Sequence, residues 1–170
     1  MRTHSRLCRC AAFTCCWSTD ETQGLEVLEN LVTLDASRNL ISALVSSFMP
    51  LGLTRVNLSH NSLNTLYGLE VTRESACYLL NYRVQGCRHL EEIDASDNQL
   101  TDLSGLNSHM GLKVLRLAGN NIQVVEGIER LKELSTLDLR RNHIAGDGRL
   151  VCSLEMTVDS QPPNAFVCSR

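Results

Sequence analysis

The side chains best suited to chemistry in this 170-residue chain are eight cysteines and five histidines, and their spacing decides what they could do. Cys8, Cys10, Cys15 and Cys16 crowd the first stretch, Cys77 and Cys87 lie mid-chain, and Cys152 and Cys168 stand near the end. The spacing C-x-C-x4-C-C matches no metal-ligand set. A nucleophilic thiol also needs a neighbouring base and a group to orient it, and neither accompanies any of the eight. Reduced thiols outside the repeat positions are the expectation. His60 and His143 flank asparagines in turn-like stretches, while His89 and His109 fall in connecting segments, so these four are expected to be solvent-exposed. No G-x-x-x-x-G-K, G-x-G-x-x-G, H-E-x-x-H or G-x-S-x-G string occurs. The sequence therefore predicts no catalytic residue, no cofactor site and no metal site, and a protein that is not an enzyme.

What must position any functional side chain is a repeat. Leu112, Leu115, Leu117, Asn120 and Ile122 return 22 residues later as Leu134, Leu137, Leu139, Asn142 and Ile144. Earlier units are Leu31, Leu34, Ala36, Asn39 and Ile41; then Leu53, Val56, Leu58, Asn61 and Leu63; then Leu90, Ile93, Ala95, Asn98 and Leu100. Alternation over the fourth to sixth positions marks a half-buried strand, with the leucines inward. The asparagine turns the chain inward, where its amide can bond the backbone of adjacent coils. Leu44, Leu66, Leu103 and Val125 continue the core. Gly68-Leu69, Gly105-Leu106 and Gly127-Ile128 then open a short 3₁₀ or α return. A fixed period of this kind is the mark of a leucine-rich repeat. One unit cannot close a core alone, so stability has to come from neighbour contacts. The predicted class is α/β: a right-handed solenoid of about five repeats with a curved parallel sheet and short 3₁₀ or α returns.

Successive repeat asparagines are 22, 37, 22 and 22 residues apart. The long interval places an insertion over residues 71–85, either a loop on the convex side or a retained in-frame intron. The expected organisation is an irregular leader over 1–23, the repeat domain over 24–144 and an irregular tail over 145–170. Neither end shows a recognisable cap, so the last coil is expected to fray or to be covered by the tail.

Composition narrows the function. Hydrophobic residues make up 43% but aromatics only 4%, which suits an interior of aliphatic ladders. A net charge of −3 argues against a general nucleic-acid or polybasic membrane binder. No apolar run reaches the roughly 18 residues of a transmembrane helix. The basic leader has a short, punctuated apolar core with no A-x-A-like site, a poor secretory signal. Its Arg-rich, acid-poor start also fits a mitochondrial transit peptide, and a disordered or aberrant leader is the expectation. The sequon at Asn57 falls on a predicted strand and is read as chance.

The 22-residue period, the Gly-Leu-Glu return and the N-x-I/L turn together resemble one leucine-rich repeat subfamily. It is the subfamily typified by regulatory subunit 7 of protein phosphatase 1 and by axonemal dynein light chain 1. The resemblance covers 24–144 apart from the insertion; the Tyr-Arg and Leu-Pro end pattern usual in that subfamily is absent. It implies an intracellular, monomeric adaptor whose concave sheet binds another protein, such as a phosphatase catalytic subunit or a cytoskeletal or dynein component. Cytoplasm is the implied location, with cilium or nucleus as variants. From the register, the concave protein-binding face is expected to hold Arg55, Asn57, Glu92, Asp94, Arg116, Asp138 and Arg140. Its acidic centre would lie at Glu92 and Asp94, with Arg116 and Arg140 toward the last coils. An extracellular receptor-type recognition domain and an aberrant truncated or intron-retaining isoform stay open beside the adaptor.

Overall fold

The structure, a computed structural model, describes residues 12–14, 30–44, 50, 52–70, 87–144, 156–158 and 166–169. The insertion expected over 71–85 lies outside the described residues. Each repeat forms a three-residue strand: β2 Thr33–Asp35, β3 Arg55–Asn57, β4 Glu92–Asp94, β5 Val114–Arg116 and β6 Thr136–Asp138. The five pair in parallel and in strict register, Leu34 beside Val56, Ile93, Leu115 and Leu137. These central residues are at most 2% exposed, and the residues on either side of each one are exposed or half-buried, apart from Asp138, which is buried at 8%. The long asparagine interval therefore leaves the β3–β4 register unchanged.

The interior is a stack of aliphatic columns. Leu31, Leu53, Leu90, Leu112 and Leu134 fill one, and Ala36, Leu58, Ala95, Leu117 and Leu139 another. Each fully buried leucine contributes about 1.5–3 kcal/mol of transfer free energy. Leu44, Leu66 and Leu103 extend the core as expected, with Val125 packed at its margin.

Two backbone devices turn each coil. The residue before the repeat asparagine is left-handed in all five coils: Arg38, His60, Asp97, Gly119 and Arg141 have φ between 54 and 68°. A non-glycine residue costs roughly 1–2 kcal/mol there. The cost is offset because the same residues donate their N–H to the next coil: Arg38 to Ser59 O, His60 to Ser96 O and Asp97 to Ala118 O, at 2.7–2.9 Å. The asparagine that follows is the second device. Asn120 Nδ2 donates to Leu117 O in its own coil and Ala95 O in the preceding one, both at 3.0 Å, while its Oδ1 accepts Leu100 N–H at 3.0 Å. Asn61, Asn98 and Asn142 repeat the pattern, which makes a continuous ladder between coils.

The returns are 3₁₀ turns at Tyr67–Leu69 and Ile128–Arg130, and no α-helix occurs among the described residues. Their glycines are dictated by space. A Cβ on Gly68 would lie 2.2 Å from Leu44 Cβ, and one on Gly105 would lie 2.6 Å from Leu66 O.

Two sequence expectations are corrected in these returns. His109, expected to be solvent-exposed, is 2% exposed, and Cys87, expected outside the repeat, belongs to the core at 0%. Both stand three residues before a first-column leucine, the position that Pro50 and Leu131 hold in other coils, and all four are buried. The position is interior whatever residue fills it. Cys87 carries a free thiol, whose Sγ lies 3.7 Å from Pro50 O. Burial pushes that thiol up to about 12.

The flanking stretches, expected to be irregular, contribute three more strands. β1 (Ala12–Thr14) pairs in parallel with β2, β8 (Phe166–Ser169) pairs antiparallel with β6, and β7 (Met156–Val158) pairs antiparallel with β8. Among the described residues the sheet thus has eight strands, and the edges of β2 and β6 are both covered. Covering an edge satisfies backbone groups that would otherwise template pairing with another chain.

Candidate interaction face

All seven residues expected on the face occupy outward positions of β3 to β6 or the residue two after β6. Strand register places Arg55 beside Glu92, Asn57 beside Asp94, Asp94 beside Arg116, and Arg116 beside Asp138. The central column of the face is Asp35, Asn57, Asp94, Arg116 and Asp138. Four of these five side chains have a local task. Oδ1 of Asp35, Asn57, Asp94 and Asp138 accepts the N–H two residues on, at 3.0–3.1 Å. Each closes a turn at the end of its own strand, which short carboxylate and amide side chains do readily. Arg116 has no such acceptor and reaches across to the neighbouring strand instead.

That reach corrects the expected acidic centre. Glu92 Oε1 accepts a hydrogen bond from Arg116 Nη1, and Glu92 Oε2 lies 3.6 Å from Arg55 Nε. One carboxylate is bracketed by two guanidiniums from the strands on either side, so the centre is a basic–acidic–basic bridge, not an acidic patch. Asp138 is likewise matched: Arg140 Nε and Nη2 bond its two oxygens at 2.9 and 2.7 Å. Burial pushes the Asp138 carboxyl up, but hydrogen bonds and charge from Arg140, with Arg141 behind it, outweigh burial and hold it below the usual carboxylate range. The two Glu92 pairs are exposed enough to contribute only about 0–1 kcal/mol to stability. Their larger effect is to fix where the charges stand.

A second charged row, not anticipated from sequence, runs along the left-handed turns. Asp97 Oδ1 accepts from Arg141 Nη2 at 3.0 Å, and Asp97 Oδ2 lies 3.6 Å from His60 Nδ1. The contact skips a coil because Gly119 lies between; a Cβ on Gly119 would stand 2.2 Å from Asp97 Oδ1. The signal in the sequence was the single glycine in a turn column otherwise filled by charged residues and histidine.

Chemically, this face offers ordered charges and hydroxyls. Among the described residues, no group of three or more His, Cys, Asp or Glu could hold a metal ion, and no helix is long and apolar enough to cross a membrane. A cleft between neighbouring loops is lined by Asp102, Ser104, Asn107, Val124 and Glu126. There the hydroxyl and N–H of Ser104 hold the Asp102 carboxyl below its ordinary value.

Comparison with known proteins agrees with this geometry at the level of fold. A family model described as a leucine-rich repeat matches residues 133–150, the stretch that contains β6. No curated protein matches the chain in sequence. Among solved structures, an internalin from Listeria monocytogenes superposes with a TM-score of 0.50 at 16% identity. The match covers 69% of this chain and 36% of the internalin, so the chain spans about a third of that protein's length. An internalin C2 from the same organism gives a TM-score of 0.46 at 16% identity, over 83% of this chain and 76% of that one. Strand register, asparagine ladder, family match and structural likeness converge: the chain folds as a leucine-rich repeat solenoid.

Proposed function

We propose that the outward face of the parallel sheet binds another protein and that the chain acts as a non-catalytic adaptor. The observation that carries this reading is the Arg55–Glu92–Arg116 bridge, which holds three long side chains in place across β3, β4 and β5. Immobilising such side chains on binding costs about 0.5–1.5 kcal/mol each. A face that orders them in advance has less to lose when a partner arrives. The charges alternate in sign along the sheet, which fits a partner surface of mixed charge. The resemblance to the phosphatase-regulatory and dynein light chain subfamily supports a phosphatase catalytic subunit or a cytoskeletal component as that partner. A cytoplasmic setting, including the cilium, goes with it.

Proximity labelling in cells, followed by affinity measurement with a recovered partner, tests the proposal. Asp94→Arg reverses the charge beside the bridge, and Arg116→Glu breaks the bridge itself. Either should weaken binding by about tenfold or more, the size expected of central interface residues. Wild-type affinity in both variants, with thermal stability retained, would remove this face from the interaction.

A further inference from the structure

The acids of the sheet face and of the turn row beside it mostly have cations of their own. Glu92 is bracketed by Arg55 and Arg116, Asp97 by His60 and Arg141, and Asp138 is held by Arg140. Asp35 and Asp94 stand apart from this pairing. Each accepts, through Oδ1, the N–H two residues on, from Ser37 and Ser96 at 3.0 Å. Among the described residues neither has a cation within ion-pair distance, and Oδ2 of each makes no bond.

The two aspartates share one column of the sheet. Register runs from Asp35 to Asn57 to Asp94, so they lie two strand spacings apart. At about 4.8 Å per strand that separation is about 10 Å. The place between them holds a neutral amide, and both aspartates are half-buried. Arg116, the register neighbour of Asp94 on the far side, is already held by Glu92. Arg38 stands in the turn row, outside the column. A partner that covers this floor strips water from two carboxylates that have no positive neighbour of their own. It must put charge in place of that water, or the complex carries two desolvated anions.

We propose that Asp35 and Asp94 are a two-point acceptor for a partner segment that crosses the strands and carries lysine or arginine side chains about 10 Å apart. This rests on the sheet-face reading and narrows it: the Arg55–Glu92–Arg116 bridge orders the floor, and the two aspartates receive the partner's cations. A polyproline II segment with a basic residue at every third position has the matching pitch. Its three residues per turn and rise of about 3.1 Å place those side chains on one face about 9 Å apart. A β-strand matches less well, because its same-face residues are about 7 or 13 Å apart.

Asn57 shows how the charge can be removed without disturbing the fold. It holds the same column position, and its Oδ1 accepts the Ser59 N–H at 3.1 Å as the aspartates accept theirs. Asp35→Asn and Asp94→Asn therefore keep the turn at the end of the strand and lose only the charge. The full-length, isotope-labelled protein is titrated at low salt with the end-blocked hexapeptide Lys-Pro-Pro-Lys-Pro-Pro, and amide shifts are followed by NMR. The Ser37 and Ser96 N–H groups, bonded to the two carboxylates, are the reporters. They should move together with one dissociation constant. Either single variant should raise that constant by roughly two- to fivefold, as expected for an exposed charge pair, and the double variant should abolish the joint shift. Lys-Lys-Pro-Pro-Pro-Pro, of identical composition, should bind more weakly. Unmoved Ser37 and Ser96 amides, unchanged affinity in the double variant, or equal affinity for the two peptides overturns the proposal. With a recovered partner the two readings separate. Binding that falls in Arg116→Glu but holds in the double asparagine variant keeps the sheet face and overturns the two-point acceptor, while binding indifferent to all of these changes overturns both.

Discussion

Replacing Asn120 by alanine tests whether the asparagine ladder holds the coils together or merely decorates their turn. Asn120 is 3% exposed and makes bonds to Leu100 N–H, Ala95 O and Leu117 O. A simple count would orphan three buried backbone groups, but the ladder is redundant on one side. Ala95 O also accepts from Asn98 Nδ2 at 3.1 Å, and Leu117 O from Asn142 Nδ2 at 2.9 Å. Only the Leu100 N–H is left without its acceptor. One orphaned buried donor costs about 1–3 kcal/mol, and two lost but replaceable bonds add roughly 0.5–1.5 kcal/mol each. The expected loss is therefore about 2–6 kcal/mol. Urea unfolding followed by circular dichroism measures it, with Asn121→Ala, exposed and next in sequence, as the control. With a slope of about 1–3 kcal/mol per molar urea, the midpoint should fall by roughly 1 M or more at unchanged slope. Asn120→Asp sharpens the test. It keeps an acceptor for Leu100 but turns a carboxylate toward two carbonyls, so it should be least stable at neutral pH and recover as acid protonates it. A midpoint for Asn120→Ala within error of the Asn121→Ala control would refute the account.

Two further outcomes follow from the charged rows. Gly119→Ala should destabilise by about 1–2 kcal/mol from its left-handed backbone, and more because the new Cβ displaces Asp97 from Arg141. In an Asp97→Ala background that extra part should vanish in a double-mutant cycle; an equal penalty in both backgrounds would show that Asp97 is not involved. Asp138, whose carboxyl is held below its ordinary 3.8, stabilises the fold fully above that value and loses the contribution as pH falls through the folded-state value. Asp138→Asn should accordingly show a smaller drop in urea midpoint between pH 5 and pH 2 than the wild type.

The fold was legible because every strand residue answers to one ruler. The leucine spacing placed Thr33, Arg55, Glu92, Val114 and Thr136 in one row, and the strand register reproduces it. The core positions of Leu44, Leu66 and Leu103 followed from the same spacing. His109 and Cys87 sit three residues before the first leucine, a position where residue type varies while burial does not, so the sequence carries no apolar signal for it. The pairing of Arg116 with Glu92 was beyond a register argument. It depends on which of several acids a long side chain reaches, and Asp94 and Asp138 stood closer in register. β1 and β8 carry no repeat spacing at all, and the antiparallel direction of β8 has no counterpart among the coils.

The undisturbed β3–β4 register has a practical side. The interval between the second and third repeats departs from the period by 15 residues, yet Arg55 still meets Glu92 as if nothing intervened. The extra length falls between Glu70 and Cys87, in the return and not within a strand, so the pairing of β3 with β4 does not depend on the period being kept there. For protein engineering, the stretch between Glu70 and Cys87 is accordingly a splice port. A fluorescent or affinity module joined there should leave the β3–β4 pairing, and with it the Arg55–Glu92 contact, as it stands.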